Sequence, residues 1–212
     1  MRSWVKAYII FFTKLLLLVG CAAPEYLNEQ ELQAFISEES NKLARSKTIG
    51  ELKMRVMYRP NDFLIWQEVE GESDTSKIRE AFDRYEDYLY FMMQLSTEQK
   101  DALYGLSGNQ IEFNDRLQTL SFRMNQYVNL TTSNRDTIPV ADFYYSRMFG
   151  LAKSNDILFV FNRAEIGDSE WVSFNTKEFG FRSGRQSFRF AINDLNGTPK
   201  LEELILYRAK IE

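Results

Sequence analysis

The sequence SKIREAFDRYEDYLYFMMQL, residues 76–95, has the strongest apolar periodicity in the chain. Apolar side chains recur every three or four positions, at Ile78, Phe82, Tyr85, Leu89 and Met92. This spacing puts them on one side of an α-helix, so we predict a single helix over residues 76–95. Further apolar residues at positions 88, 90, 91 and 93 widen that face. Such width indicates either deep burial or contact with a partner.

The residues on either side of this stretch predict two further helices and a strand. A helix is expected from Asn28 or Glu29 to about Ala44, because its apolar residues follow helical spacing. Alternation of apolar and polar residues over 52–58 predicts a strand, whereas residues 63–69 fit a strand or a short helix equally well. The sequence at 97–100 is typical of a helix start, and that helix would end by Gly105 or Gly108.

After Gly108 the pattern changes to short alternating segments separated by turn residues. Strands are predicted at residues 117–124, 127–131, 137–148, 157–163, 170–176, 179–182 and 185–193. The clearest hairpin covers residues 179–190, with Phe179 and Phe181 on one face of the first strand and Phe188 and Phe190 on one face of the second. Residues 201–207 fit a final strand or a short helix.

These elements predict an α+β fold in which N-terminal amphipathic helices are followed by an antiparallel β-sheet, either a sandwich or a curled sheet. We expect a single domain at 28–212, helix-rich over 28–108 and strand-rich over 109–212.

The composition excludes several classes of chemistry. The chain has 212 residues, 44% of them hydrophobic, which is enough to bury a sizeable core. It contains no histidine, which removes Ser–His and Cys–His catalysis and imidazole metal ligands. Its one cysteine cannot form an internal disulfide or a cysteine-based zinc site.

The N-terminus has the pattern of a secretory signal. Residues 1–6 carry two basic residues and no acid, and residues 7–20 are apolar apart from Thr13 and Lys14. The apolar run has 14 residues, fewer than the ~20 that cross a hydrocarbon core. Its end, Leu18-Val19-Gly20-Cys21, resembles the lipobox of bacterial lipoproteins. The resemblance implies cleavage before Cys21 and acylation of its thiol, which would anchor the mature protein to a membrane.

This resemblance also sets expectations for organisation and location. Residues 1–20 would be the signal peptide and 21–27 a short tether that keeps the domain near the lipid. Loss of residues 1–20 removes three basic residues and no acid, so the formal net charge changes from −4 to −7. Such an acidic body disfavours nucleic acid as a partner. We expect a location in the bacterial cell envelope, at the outer membrane rather than the inner.

Two groups of residues are candidates for contact with a ligand or partner. Arg182, Arg185 and Arg189 alternate with phenylalanines, and guanidinium groups in such a pattern could bind phosphate, carboxylate or glycan. They could equally be the solvent face of a hairpin whose phenylalanines point to the core. Trp171 and the Tyr144-Tyr145 pair could belong to an aromatic platform for a sugar or a protein, if one of them is exposed.

No set of residues points to catalysis, a cofactor or a metal. Acids at Asp156, Asp168, Glu170 and Glu178 lie on predicted strands or turns, but their spacing does not single out a pair. The segment 193–197 is similar to the start of a calcium loop but has no closing Glu, and a turn built on Asn196-Gly197 is the preferred interpretation. We therefore predict no cofactor and no metal.

Three functional hypotheses follow. The first is a lipid-anchored, non-catalytic binding or assembly component of the envelope, with an envelope protein or glycan as partner. The second is a carboxylate-dependent enzyme that acts on envelope glycans. The third is an inhibitor or immunity-type lipoprotein that blocks one partner.

Overall fold

The computed structural model describes residues 25–147 and 151–211, and the predicted signal peptide and Cys21 lie outside these residues. The helices are α1 Glu29–Ser37, α2 Asn61–Val69, α3 Thr75–Glu86, α4 Ala102–Leu106, α5 Gln110–Phe122, α6 Ile192–Asn196 and α7 Ile205–Ile211. The strands are β1 Tyr26–Leu27, β2 Ala44–Ile49, β3 Leu52–Arg59, β4 Tyr88–Ser96, β5 Val128–Thr132, β6 Thr137–Pro139, β7 Asp142–Ser146, β8 Asn155–Asn162, β9 Trp171–Thr176, β10 Gln186–Ala191 and β11 Lys200–Leu201. Short 3₁₀ turns cover Glu39–Asn41, Met124–Gln126, Arg163–Ile166 and Glu202–Leu204.

Residues 76–95 divide into two elements, so the prediction of one long helix is wrong beyond residue 86. α3 ends at Glu86, and the chain continues from Tyr88 as the strand β4. Leu89, Phe91, Met93 and Leu95 alternate along β4 and are almost fully buried. Tyr90 on the opposite face is buried too. A strand buried on both faces is apolar at nearly every position, and such a run matches a helical period as well as a strand period.

β4 is the central strand of a five-stranded antiparallel sheet with the order β2-β3-β4-β8-β7. The predicted strand at 52–58 is confirmed as β3, and the one at 157–163 as β8. The first helix was predicted to run to about Ala44, but it ends at Ser37. The strand β2 then begins at Ala44. Three strands of this sheet therefore come from residues before 108.

A second antiparallel sheet, of four strands, has the order β10-β9-β5-β6. It packs face to face with the first through aromatic rings. Phe91 of β4 lies with its ring centre 5.9 Å from that of Phe174 in β9 and 5.1 Å from that of Phe190 in β10. Phe159 of β8 also meets Phe174, at 5.4 Å. The protein has an α+β fold, as predicted, and the shared aromatic layer lies between its two open sheets.

Several local predictions need correction. Residues 117–124 belong mostly to α5, whose start is fixed by Asn109: its side chain accepts hydrogen bonds from the backbone N–H groups of Ile111 and Glu112, both at 3.0 Å. Residues 179–182 form a loop, not a strand. The predicted strand 137–148 is interrupted after Pro139, giving β6 and β7. Residues 193–197 are the helix α6 and its cap at Gly197, neither a calcium loop nor an isolated turn.

The two ambiguous segments both contain helix. Residues 63–69 lie in α2, and residues 201–207 run from β11 through a 3₁₀ turn into α7. Asp62 joins them: its carboxylate accepts hydrogen bonds from the Leu201 backbone N–H at 2.8 Å and from the Arg208 guanidinium at 2.7 Å. Within 25–147 and 151–211, no helix has both the length and the apolar character needed to cross a bilayer.

Candidate functional site

The outer face of the four-stranded sheet carries a continuous set of uncharged polar side chains. We call the following five residues the polar ladder: Asn129, Thr131, Ser173, Asn175 and Ser187. They alternate with residues such as Leu130 and Phe174, whose side chains enter the core, and Ser173 within the ladder is itself only 4% exposed. Because successive side chains of a strand point to opposite faces, burying one set places the other on the outer surface.

Strand register brings the ladder residues side by side. Asn175 of β9 stands opposite Asn129 of β5 on one side and Ser187 of β10 on the other. Ser173 stands opposite Thr131 on one side and Arg189 on the other. Side chains at directly opposed positions on one face lie within contact distance, so the three strands form two adjacent rows, one of amide and hydroxyl groups and one of two hydroxyl groups and the Arg189 guanidinium.

Asn175 is the centre of the ladder. Its amide nitrogen donates to Asn129 Oδ1 at 3.2 Å and to Thr131 Oγ1 at 3.0 Å. Its amide oxygen accepts from Ser173 Oγ at 3.1 Å and from Ser187 Oγ at 2.6 Å. These bonds occupy the hydrogen-bonding groups of the Asn175 amide and hold it in one orientation, while Asn129, Thr131 and Ser187 stay partly or fully exposed.

Trp171 and Arg189 border the ladder at one end. The Arg189 guanidinium carbon lies 3.9 Å from the centre of the Trp171 ring, close enough for a cation–π interaction that holds the half-buried ring in place. Arg182 and Arg185 lie in the loop between β9 and β10, at the other end of these strands. Of the four predicted contact residues, the structure therefore brings Trp171 and Arg189 together. It places Arg182 and Arg185 away from them.

Comparisons with known proteins add a likeness to two solved structures. No family model matches the chain, and neither does any curated protein. A protein of unknown function from Burkholderia pseudomallei K96243 is similar with a TM-score of 0.39 and 13% identity, over 81% of this chain and 93% of that one. A DUF4426 family protein from Pseudomonas aeruginosa PAO1 is similar with a TM-score of 0.35 and 11% identity, over 70% of this chain and 92% of that one. Neither likeness says what this chain binds.

The two neighbouring tyrosines of β7 point in opposite directions. Tyr144 is 68% exposed, on the outer face of the five-stranded sheet. Tyr145 faces inward, and its hydroxyl accepts a hydrogen bond from Asn155 Nδ2 at 3.1 Å. Burial raises the pKa of the Tyr145 hydroxyl. Tyr144 is thus the exposed aromatic residue of the pair, but it lies on a different sheet from Trp171.

The four candidate carboxylates occupy separate positions. Asp156, at the start of β8, accepts hydrogen bonds from Gln94 at 3.2 Å and from Ser154 at 2.5 Å. Asp168 and Glu170 are exposed and lie beyond the other end of β8. Glu178 follows β9 and binds the loop that comes after it. Among the described residues, no group of three His, Cys, Asp or Glu side chains is placed to hold a metal ion.

Glu178 has a structural role. Its carboxylate accepts hydrogen bonds from the backbone N–H groups of Gly180, Arg182 and Gly184, at 2.7–2.8 Å. Partial burial alone would raise the pKa of this carboxyl, but the hydrogen bonds from Gly184, Gly180 and Arg182 together outweigh burial and lower it. Since its oxygens are already used by the loop, Glu178 is poorly placed to serve a substrate.

A polar cleft of about 320 Å³ lies where α2 and α3 meet the C-terminal segment. Its wall includes Tyr58 and the Asp62–Arg208 pair. Burial raises the pKa of the Tyr58 hydroxyl, and the neighbouring Arg163 guanidinium offsets part of that effect. Asp62 binds Arg208 and the backbone of β11, so this part of the wall supports the docking of the C-terminal segment.

The strands β5, β9 and β10 lie at nearly the positions predicted from the sequence, but the polar ladder was not predicted. The signal was present in the alternation of VNLTT, WVSFNT and QSFRFA, where the outward positions are hydroxyl or amide residues, Trp171, Arg189 and Ala191. The order of strands in the sheet decides which of these residues become neighbours, and that order depends on long-range pairing.

Proposed function

We propose that this chain is a lipid-anchored, non-catalytic binding component of the bacterial cell envelope, and that the polar ladder with Trp171 binds a glycan. The observation that carries the proposal is the ladder itself: five uncharged hydroxyl and amide side chains, held in register around Asn175, next to an aromatic ring. The anchor is the expected consequence of the lipobox at residues 18–21.

The chemistry of the ladder suits a sugar. Each sugar hydroxyl both donates and accepts, and the ladder offers both kinds of group on one face of three neighbouring strands. A tryptophan ring supplies apolar area for the C–H face of a sugar ring, which at Trp171 would take the place of the Arg189 guanidinium that lies over it. The five residues of the ladder carry no formal charge, and the Arg189 guanidinium, opposite Ser173, is the ion next to them.

A sedimentation experiment with purified peptidoglycan sacculi tests the glycan claim. We expect the wild-type protein to sediment with sacculi, and Trp171→Ala and Asn175→Ala each to reduce the bound fraction at least fivefold. Tyr144→Ala is the matched control, because it removes an exposed aromatic ring from the other sheet and should leave binding unchanged. Thermal unfolding of each variant would show whether a loss of binding reflects a loss of fold.

Two outcomes would contradict the glycan claim. The first is no sedimentation of the wild type with sacculi. The second is equal sedimentation of wild type, Trp171→Ala and Asn175→Ala. Crosslinking in intact cells that captures one protein through the ladder would instead favour a protein partner, which is the assembly or inhibitor alternative.

The anchor is tested separately. Labelled palmitate should enter the wild-type protein and not Cys21→Ala, and the variant should leave the membrane fraction. Equal labelling of both, or release of an unmodified wild-type protein into the medium, would show that Cys21 is not lipidated.

A further inference from the structure

A small cavity outside the polar ladder contains a buried carboxylate oxygen without a partner. The cavity of about 110 Å³ lies between α4, α5, β7 and the start of β8. Asp101, just before α4, is 1% exposed and contributes to its wall. We call this space the Asp101 cavity.

The two oxygens of Asp101 differ in their surroundings. Oδ1 accepts a hydrogen bond from the backbone N–H of Tyr104 at 3.0 Å and so caps the first turn of α4. Oδ2 is buried and has no hydrogen-bond partner within residues 25–147 and 151–211. Leaving a buried charged acceptor unpaired costs free energy, and nearly all buried polar groups in native proteins are paired. Among the described residues, the unpaired oxygen therefore leaves a place for a hydrogen-bond donor at this cavity.

The rest of the wall determines what kind of molecule could bring that donor. Tyr104 and Phe113 meet edge to face with ring centres 5.0 Å apart, and Leu103 and Leu117 add further apolar surface. Asn155 is engaged by the chain itself: its Oδ1 accepts from the Leu103 N–H at 2.8 Å. The Tyr145 and Ser154 hydroxyl oxygens in the wall can accept further hydrogen bonds. The occupant thus needs hydrogen-bond donors and an apolar body.

Size restricts the occupant further. An apolar cavity of about 150 Å³ holds one benzene molecule, so about 110 Å³ leaves room for a chain or ring of roughly four to six heavy atoms. Charge favours an ammonium group as the donor, because hydrogen bonds between ions are about twice as strong as those between neutral groups. The Arg147 guanidinium also borders the cavity, but it is exposed and lies 5.5 Å from the Phe122 ring at the surface.

We propose that the Asp101 cavity is a binding site for a small primary amine. The ammonium group donates to Asp101 Oδ2, and the hydrocarbon part packs against the rings of Tyr104 and Phe113. The site shares no residue with the polar ladder, so either proposal can be wrong without affecting the other.

Calorimetric titration of the full-length protein in detergent with n-butylammonium tests this site. We expect saturable binding at one site, and no binding of tetramethylammonium, which has the same charge but no N–H group. Asp101→Asn should weaken binding at least tenfold, since it keeps the cap on Tyr104 through its amide oxygen and replaces the free acceptor with a donor. Asp142→Asn, a change at an exposed carboxylate on β7, is the matched control and should bind like wild type.

A second variant separates the cavity from the carboxylate. Ala152→Leu fills part of the space without touching Asp101 and should abolish binding while the protein stays folded. The proposal is overturned if n-butylammonium shows no saturable binding to the wild type, if Asp101→Asn binds it equally well, or if tetramethylammonium binds with the same affinity.

Discussion

One side chain, Glu178, determines the conformation of the loop that joins β9 to β10. The loop contains three residues with positive φ, namely Gly180 at 101°, Arg182 at 56° and Gly184 at 62°. The backbone N–H groups of these same three residues donate to Glu178. The left-handed conformation turns these groups inward, and the carboxylate compensates for the strain at Arg182.

Replacing Glu178 with Gln tests this role. The variant keeps one acceptor oxygen and places an amide donor against backbone donors, so we expect a loss of about 1–2 kcal/mol in the free energy of unfolding at pH 7. The measurement is urea unfolding followed by circular dichroism. Glu170→Gln, a change at an exposed carboxylate without such bonds, should alter the free energy by less than about 0.5 kcal/mol.

The stabilisation of the fold by Glu178 has a predictable pH dependence. The folded-state pKa of Glu178 is lowered below the ordinary value of 4.5, so its carboxylate stabilises the fold fully above the unfolded-state pKa. That stabilisation is lost as the pH falls through the folded-state pKa. The difference between wild type and Glu178→Gln should therefore shrink below about pH 4.5. A difference that stays constant from pH 7 to pH 3 would contradict this role.

At the scale of elements, β4 shows what sequence periodicity could and could not predict. Strands with one polar face, such as β5 and β9, were predicted within one or two residues because their alternation is unambiguous. β4 is fully buried on one face and partly covered on the other, and it is apolar at nearly every position, so its residues satisfy a helical and a strand pattern at once. α5 was predicted as a strand in its second half because the Asn109 cap that starts it was not recognised. Both errors concern elements whose identity depends on tertiary contacts or on a single cap.

Two neighbouring residues of β4 distinguish the strand from the helix by experiment. Phe91 is fully buried between the sheets and contacts Phe161, Phe174 and Phe190, so Phe91→Ala should cost about 3–5 kcal/mol. Met92 points to the other face and is half-buried, so Met92→Ala should cost about 1 kcal/mol. Urea unfolding of both variants gives the comparison. A larger loss for Met92→Ala would be the result expected of one continuous helix, in which residue 92 shares the face of Tyr85 and Leu89.

At the scale of the whole molecule, the two sheets depend on one aromatic layer. Phe159 and Phe161 of the first sheet both contact Phe174 of the second. Cations of β2 also reach the second sheet: Lys47 lies 5.1 Å from the ring centre of Phe188. Separating the sheets would expose these rings to water on both sides, so neither sheet keeps its core without the other. Residues 28–212 should therefore unfold as one cooperative unit.

Tryptophan fluorescence can test this cooperativity, because two of the three tryptophans report on different parts of the molecule. Trp66 lies in α2 and packs edge to face against Tyr207 of α7, with ring centres 5.8 Å apart, whereas Trp171 lies in the four-stranded sheet under Arg189. Two variants, Trp4→Phe with Trp171→Phe and Trp4→Phe with Trp66→Phe, leave one reporter each. We expect the two fluorescence transitions in urea to be single. The midpoint of each should coincide with that variant's own circular dichroism transition, as two-state unfolding of one domain requires.

If Trp66 reports unfolding at a lower urea concentration than circular dichroism does in the same variant, then α2 and the C-terminal segment detach first. The single domain would then have to be divided between this pair of segments and the two sheets.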